Sequence, residues 1–340
     1  MLPDLEQNIG ASPQTDHHPE TVLRFNDFEL ITGQSNPQLA REVGKLLEHV
    51  PDEPIILFTD GEVKAKISHN LRRRHAVVIQ STSPPHVNDY IMETLIMIDA
   101  ARRASADEIT VVLPYFGYAR QDKKDQPRVP ISASLVANLL TMTGANRIVT
   151  IDIHAEQAQG YVLDPWDNIY ASHAVVPVIK NDIDTSNLVV VSPDVGATKR
   201  TAKYAEALGV TNLAVVYKER EITPNSKSKA LFLIGDVEGK DALITDDLLK
   251  TGGTLVDAAE MLVSKGAKRI YAAVTHGLFL EDALTDIEKS SIEKVYVTDT
   301  IAHRHEVKNN PKIQIISIAP MLAEAIQRIH TGEGLTDLFT

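Results

Sequence analysis

Short apolar runs alternate with amphipathic stretches along nearly the whole chain. In the first half, runs rich in β-branched residues predict strands at 29–32, 55–58, 76–80, 109–114 and 147–153. A wider, 3.6-residue spacing predicts helices at 37–47, 89–104 and 132–143. The second half repeats the alternation, with strands at 188–192, 212–217, 242–245, 269–274 and 294–298 and helices at 197–208 and 254–264. A last helix covers 321–329. Such a succession predicts an α/β fold built on parallel sheets. The halves also echo each other: GANRIVTIDIH (144–154) and GAKRIYAAVTH (266–276) both leave a helix through Gly-Ala and enter a buried strand ending in His. Two similar domains side by side are expected, meeting within Asp164–Val178, where Pro165 and Pro177 punctuate the chain.

Residues 241–254, DALITDDLLKTGGT, concentrate the chemistry. An apolar run ends in two adjacent carboxylates, Asp246 and Asp247, before Lys250, Thr251, Gly252, Gly253 and Thr254 lead into a helix. A glycine-rich loop at a helix N-terminus offers backbone N–H groups and the positive dipole end to a phosphate. The acid pair suits sugar hydroxyls or a metal-bound sugar. Phosphate plus polyol describes a sugar phosphate.

Ligands of open α/β sheets bind beyond the carboxyl ends of the strands. That rule selects His154, Asp194, Lys218 and Asp246, each following a predicted strand. One such residue alone is usually a cap or turn; four together favour a site. His154 and Asp194 suit Mg²⁺ or Mn²⁺ carried by a nucleotide. Lys218 and Arg220, on an extended segment, suit the charge of a transferring phosphoryl group. The polar stretch 221–229 reads either as a mobile loop that closes over substrates or as an ordinary surface hairpin with solvated cations. Phe58-Thr-Asp60-Gly61-Glu62 and Tyr115-Phe-Gly-Tyr-Ala-Arg120-Gln121 follow two further strands and offer aromatic faces, carboxylates and cations; taken alone, the first reads more readily as a turn with a core Phe.

Charge narrows the partners. With 34 bases against 46 acids the net charge is −12, a poor match for non-specific nucleic-acid binding. Cations for a polyphosphate must therefore be clustered locally, as at 120–124 and 218–220, or supplied by metal ions. The absence of cysteine rules out disulfides, a thiol nucleophile and thiolate metal sites, and fits a cytoplasmic protein. No apolar run approaches the ~20 residues that span a bilayer. The first 24 residues carry four acids and no base before Arg24, unlike a signal or transit peptide, and read as a mobile extension. Neither G-x-x-x-x-G-K-[ST] nor G-x-G-x-x-G occurs, so an ATP site here is not of the P-loop type and a dinucleotide enzyme is disfavoured.

From about Phe28 to Phe339 the chain resembles ribose-phosphate pyrophosphokinase (phosphoribosyl pyrophosphate synthetase). The supporting runs are GQSNPQLA (33–40), FTDGE (58–62), VIQSTSPP (78–85), YARQDKKD (118–125), IDIHAEQAQGY (151–161), SPDVGATKR (192–200), YKER (217–220), IGDVEG (234–239), DDLLKTGGTL (246–255), VTHGLF (274–279) and MLAEAIQRIH (321–330). The resemblance implies two tandem type I phosphoribosyltransferase-like domains, each a mostly parallel sheet flanked by helices. Residues 25–171 would form the ATP side, joined by the C-terminal helix 319–332, and residues 172–318 the ribose 5-phosphate side. It implies a homohexamer and a Mg²⁺-dependent transfer of the β,γ-diphosphoryl group of ATP to the C1 hydroxyl of ribose 5-phosphate. Carried over by position, Phe58, Asp60, Gly61, Glu62, Arg120, Gln121 and Asp125 would contact ATP. His154 and Asp194 would hold Mg²⁺, and Lys218 and Arg220 would be catalytic. Arg220, Asp246, Asp247, Lys250, Thr251, Gly252, Gly253 and Thr254 would bind ribose 5-phosphate.

The chain departs from the family pattern in four places. Lys250 stands where the family usually has an acid, and Leu280-Glu-Asp-Ala283 replaces the usual Ser-Gly-Pro-Ala. The loop after Arg220 is about two residues longer than the common form, and the order at 67–75, tied to allosteric control, is not kept. Lys250 and the longer loop also keep open a non-catalytic, co-assembling paralogue. A phosphoribosyltransferase sharing the DD-x-x-x-TGGT loop would leave FTDGE and YARQDKKD unexplained.

Overall fold

The computed structural model describes residues 28–220 and 229–339. The N-terminal extension and nearly all of the polar stretch 221–229 lie outside the described residues. The first half runs β1 (Phe28–Thr32), α1 (Pro37–Leu46), β2 (Ile55–Leu57), β3 (Val63–Ala65), β4 (His75–Ile79), α2 (Val87–Arg103), β5 (Glu108–Leu113), α3 (Ser132–Thr143), β6 (Arg147–Ile151) and β7 (Trp166–Ile169). The second runs α4 (Ser172–Asp182), β8 (Leu188–Ser192), α5 (Thr198–Leu208), β9 (Leu213–Arg220), β10 (Lys229–Ile234), β11 (Asp241–Leu249), α6 (Gly253–Ser264) and β12 (Ile270–Gly277). It continues through α7 (Ala283–Lys289), β13 (Ile292–Thr298), α8 (His305–Lys308), β14 (Ile313–Ile316) and α9 (Ala319–Thr331).

Two parallel sheets result, in the orders β1-β4-β5-β6-β7 and β10-β9-β8-β11-β12-β13-β14, with β10 alone antiparallel to its neighbour. Helices cover both faces, so strands such as β4 and β8 are buried along their full length and read as unbroken apolar runs. The predicted strand at 55–58 is not part of a parallel sheet. It pairs with β3 as a separate antiparallel hairpin, half-exposed along its length.

The two halves follow one plan: strand, helix, hairpin, then four more parallel strands. In the first half the hairpin is β2–β3, entered through a parallel bridge between Ile31 and Asp52; in the second it is β9–β10, whose strand β9 joins the sheet by pairing with β8 over Leu213–Val215. This plan assigns β6 to β13 and β5 to β12. The sequence echo instead aligns β6 with β12, one strand out of step. Its shared Gly-Ala comes from a helix exit common to both places, where Gly144 and Gly266 adopt positive φ values of 136° and 85°.

Each sheet has one core on either face. The last helix packs on the first sheet: Leu322 and Ile326 are buried with Leu39 and Val43 of α1 and with Leu30 of β1. Truncating Leu322 to Ala would cost about 2–5 kcal/mol.

Candidate functional site

Among the strands that run further than the apolar pattern predicted, β11 and β9 shape the site. β11 continues through the acid pair to Leu249 because the long neighbour β12 keeps offering ladder partners, Leu248 opposite His276 and Leu249 opposite Gly277. Asp246 and Asp247 therefore sit in a strand, not in the loop after one. β9 likewise continues through Lys218 and Arg220, which are paired in register with Leu231 and Lys229.

A cavity of about 780 Å³ opens between the halves. The second half contributes Asp194–Ala197, Arg200, Tyr217, Asp246, Asp247 and the whole stretch 248–255; the first contributes Arg120, Asp122, Lys123, His154, Ala155 and Gln157.

The acid pair lies at its centre. Asp247 is buried, and its Oδ2 accepts from His154 Nδ1 at 2.5 Å, a contact between residues 93 apart in sequence. Its Oδ1 lies 3.3 Å from Arg200 Nη1, and Asp246 Oδ1 lies 3.8 Å from the same nitrogen. Burial alone would raise the Asp247 carboxyl. The hydrogen bond from His154 and the Arg200 charge outweigh it and hold the group well below the usual carboxylate range. Burial and the neighbouring Asp247 charge push Asp246 well above that range. Burial also opposes the Arg200 charge, but Asp247, Asp152 and Asp246 outweigh it and raise its pKa.

Below the pair the chain turns through Gly252, with φ of 80°, and α6 starts at Gly253. A Cβ built on Gly253 meets no atom within 4 Å, so the floor beside the helix start is open backbone. The loop is tied from behind, where Leu278 N donates to Leu249 O and Leu280 N to Lys250 O, each at 2.8 Å. Leu280-Glu-Asp-Ala283 thus lies directly behind the glycine loop, and Glu281 holds a left-handed φ of 53°. The Lys250 side chain is exposed on the cavity wall.

Asp194 caps the turn into α5, its Oδ1 accepting from Ala197 N at 3.0 Å. His154 Nδ1 faces Asp247 Oδ2, so Nε2 is the ring nitrogen available to a ligand. Among the described residues no group of three His, Cys, Asp or Glu side chains is gathered to hold a metal ion. His154 and Asp194, the two residues expected to hold Mg²⁺, both line the cavity.

The proposed nucleotide residues divide. Arg120 lines the main cavity and, with Gln121, a second one of about 490 Å³ that includes Tyr115, Tyr118 and His86. Phe58, Asp60, Gly61 and Glu62 line neither; they form the exposed β2–β3 turn, closed by hydrogen bonds between Phe58 and Glu62 and between Glu62 N and Asp60. Asp125 is exposed and also lines neither cavity.

Sequence reasoning missed four contributors. Arg200 reads as a helix-surface position, although a cation in a helix's first turn opposes the dipole and was a usable signal. Asp152, Thr275 and His276 join the halves: Thr275 Oγ1 donates to Asp152 Oδ2 at 2.5 Å, and His276 Nε2 lies 3.1 Å from Ile151 O.

Comparisons with known proteins bear on family and fold. A family model described as the N-terminal domain of ribose phosphate pyrophosphokinase matches residues 28–144, and one for the phosphoribosyl synthetase-associated domain matches residues 218–340. Ribose-phosphate pyrophosphokinase A of Dictyostelium discoideum is 44% identical over 314 residues, covering 92% of this chain and 98% of its own length. The ribose-phosphate pyrophosphokinase of Chlorobaculum tepidum is 44% identical over 92% of this chain and 95% of its own length. A crystal structure of phosphoribosylpyrophosphate synthetase from Mycobacterium smegmatis aligns with a TM-score of 0.84 at 37% identity, covering 90% of this chain and 99% of that one.

Proposed function

The chain belongs to the ribose-phosphate pyrophosphokinase family, and from that premise we propose that its large cavity is where the β,γ-diphosphoryl group of ATP passes to the C1 hydroxyl of ribose 5-phosphate, giving phosphoribosyl pyrophosphate and AMP. The observation that carries this reading is convergence. A sugar-phosphate cradle from one half faces His154 and Arg120 from the other across a single cavity.

In this reading, backbone N–H groups at 251–254 take the 5-phosphate, Lys250 adds a cation at its edge, and Asp246 and Asp247 accept from the ribose hydroxyls. Lys218 and Arg220, at the end of β9, neutralise charge on the transferring group. His154 and Asp194 would hold Mg²⁺, which would supply neutralisation of phosphate charge when bound. Arg120, Gln121 and Asp125 serve the nucleotide, as does the 58–62 turn. Little covalent work falls to the protein, so catalysis rests on in-line positioning and charge stabilisation. The division into an ATP side at 25–171 with 319–332 and a sugar side at 172–318 belongs to the same reading. So do a cytoplasmic location and a homohexamer. Among the described residues no helix is long and apolar enough to cross a membrane.

The test is AMP release from Mg-ATP and ribose 5-phosphate by the purified protein, with Lys218→Ala alongside. Release that depends on the sugar, and falls by orders of magnitude in Lys218→Ala, is the expected result. No AMP would favour the non-catalytic paralogue. Release without the sugar would indicate a different kinase or hydrolase.

A further inference from the structure

Arg200 has no role in the reading above, yet it occupies an unfavourable place. It stands in the first turn of α5, where the dipole disfavours a cation, and its side chain is only 18% exposed. Carboxylates hold it there. One guanidinium nitrogen faces Asp247 at 3.3 Å and Asp246 at 3.8 Å. Both contacts are longer than a good N–H···O hydrogen bond. The residue also lines the cavity wall beside the pair.

A cavity that must receive a phosphorylated sugar and a nucleoside triphosphate can hardly afford two uncompensated acids at its centre. Like charges side by side repel each other and any incoming phosphate. His154 shares only one oxygen of Asp247. The guanidinium, planar and always charged, faces Oδ1 of each carboxylate, while His154 holds the second oxygen of Asp247; a carboxylate oxygen with two lone pairs can still accept from a further donor.

We propose that Arg200 is the positioning residue of the sugar subsite: it spans Asp246 and Asp247, offsets charge that would repel a phosphorylated sugar, and orients the pair to accept from the ribose hydroxyls. This rests on the diphosphoryl-transfer reading for the identity of the sugar. Arg200 acts through the acid pair and not by touching the nucleotide, so its loss separates the two substrates.

The experiment compares the wild-type protein with Arg200→Met and Arg200→Lys. Arg200→Met is expected to raise KM for ribose 5-phosphate on the order of tenfold or more while KM for ATP stays within about twofold. Arg200→Lys keeps the charge but not the fork and is expected to recover part of the loss. Equal rises in both KM values, or a lysine variant no better than methionine, would overturn the proposal. If the methionine variant does not fold, calorimetric titration of ribose 5-phosphate into wild type and Arg200→Lys decides the matter. Weaker binding by the lysine variant supports the role, and equal affinity overturns it. A wild-type protein that binds ribose 5-phosphate but releases no AMP would refute the enzymatic reading while leaving this comparison intact.

Discussion

Adding one methyl group to the cradle should separate folding from binding. Gly253 opens α6 outside the left-handed region, and a Cβ there meets no atom within 4 Å. Gly253→Ala should therefore fold as well as the wild type or be about 0.4–1 kcal/mol more stable, because alanine restricts the unfolded chain. The same methyl projects into the space a phosphate must enter. If it displaces one phosphate oxygen from its backbone donor, the loss is that of a hydrogen bond to a charged group, about 1.5–3 kcal/mol. That corresponds to roughly 10- to 100-fold in affinity for ribose 5-phosphate. Gly252→Ala is the complement: at φ of 80° a side chain costs about 1–2 kcal/mol, so this variant should be less stable as well as weaker in binding. Urea unfolding gives the stabilities, and initial rates against ribose 5-phosphate give the affinities. A Gly253→Ala protein of normal stability with an unchanged KM for the sugar phosphate would refute the cradle.

Two further predictions concern the frame around the site. Glu281 holds a φ of 53° where the family usually has glycine, so Glu281→Gly should relieve strain beyond its entropic cost and stabilise the fold by up to about 1 kcal/mol; a lower denaturation midpoint would contradict the backbone geometry. At the opposite edge, His75 is lowered from 6.5 to about 4 by burial, then by His330, whose Nδ1 lies 3.4 Å away, and by Arg147. The unfolded chain binds that proton more readily, so the stabilisation is complete above pH 6.5 and declines as pH falls toward about 4, on the order of 3 kcal/mol in all. Stability measured across that window should flatten in His75→Gln, and an unaltered slope would remove His75 as the cause.

The alternation of strand and helix was legible because parallel strands buried on both faces are plain apolar runs. β7 was not: Trp166-Asp-Asn-Ile169 has two polar residues of four, and the ladder from β6 fixes it as a strand. Pro177 read as a boundary but lies inside α4. The glycine loop and acid pair were visible as chemistry, yet their strand was cut short because charge resembles a loop until β12 is placed beside it. Arg200 resembles any solvated cation until the fold turns its helix toward the acids. The His154–Asp247 contact has no local signal at all.

That contact joins one group assigned to the nucleotide with one assigned to the sugar. A shared proton between two subsites is a thermodynamic linkage. If arrival of the nucleotide draws His154 away from Asp247, the sugar's affinity changes by some factor. Reciprocity then requires the sugar to change the nucleotide's affinity by the same factor. The order in which substrates bind, and any synergy between them, would then be written in the strength of one hydrogen bond.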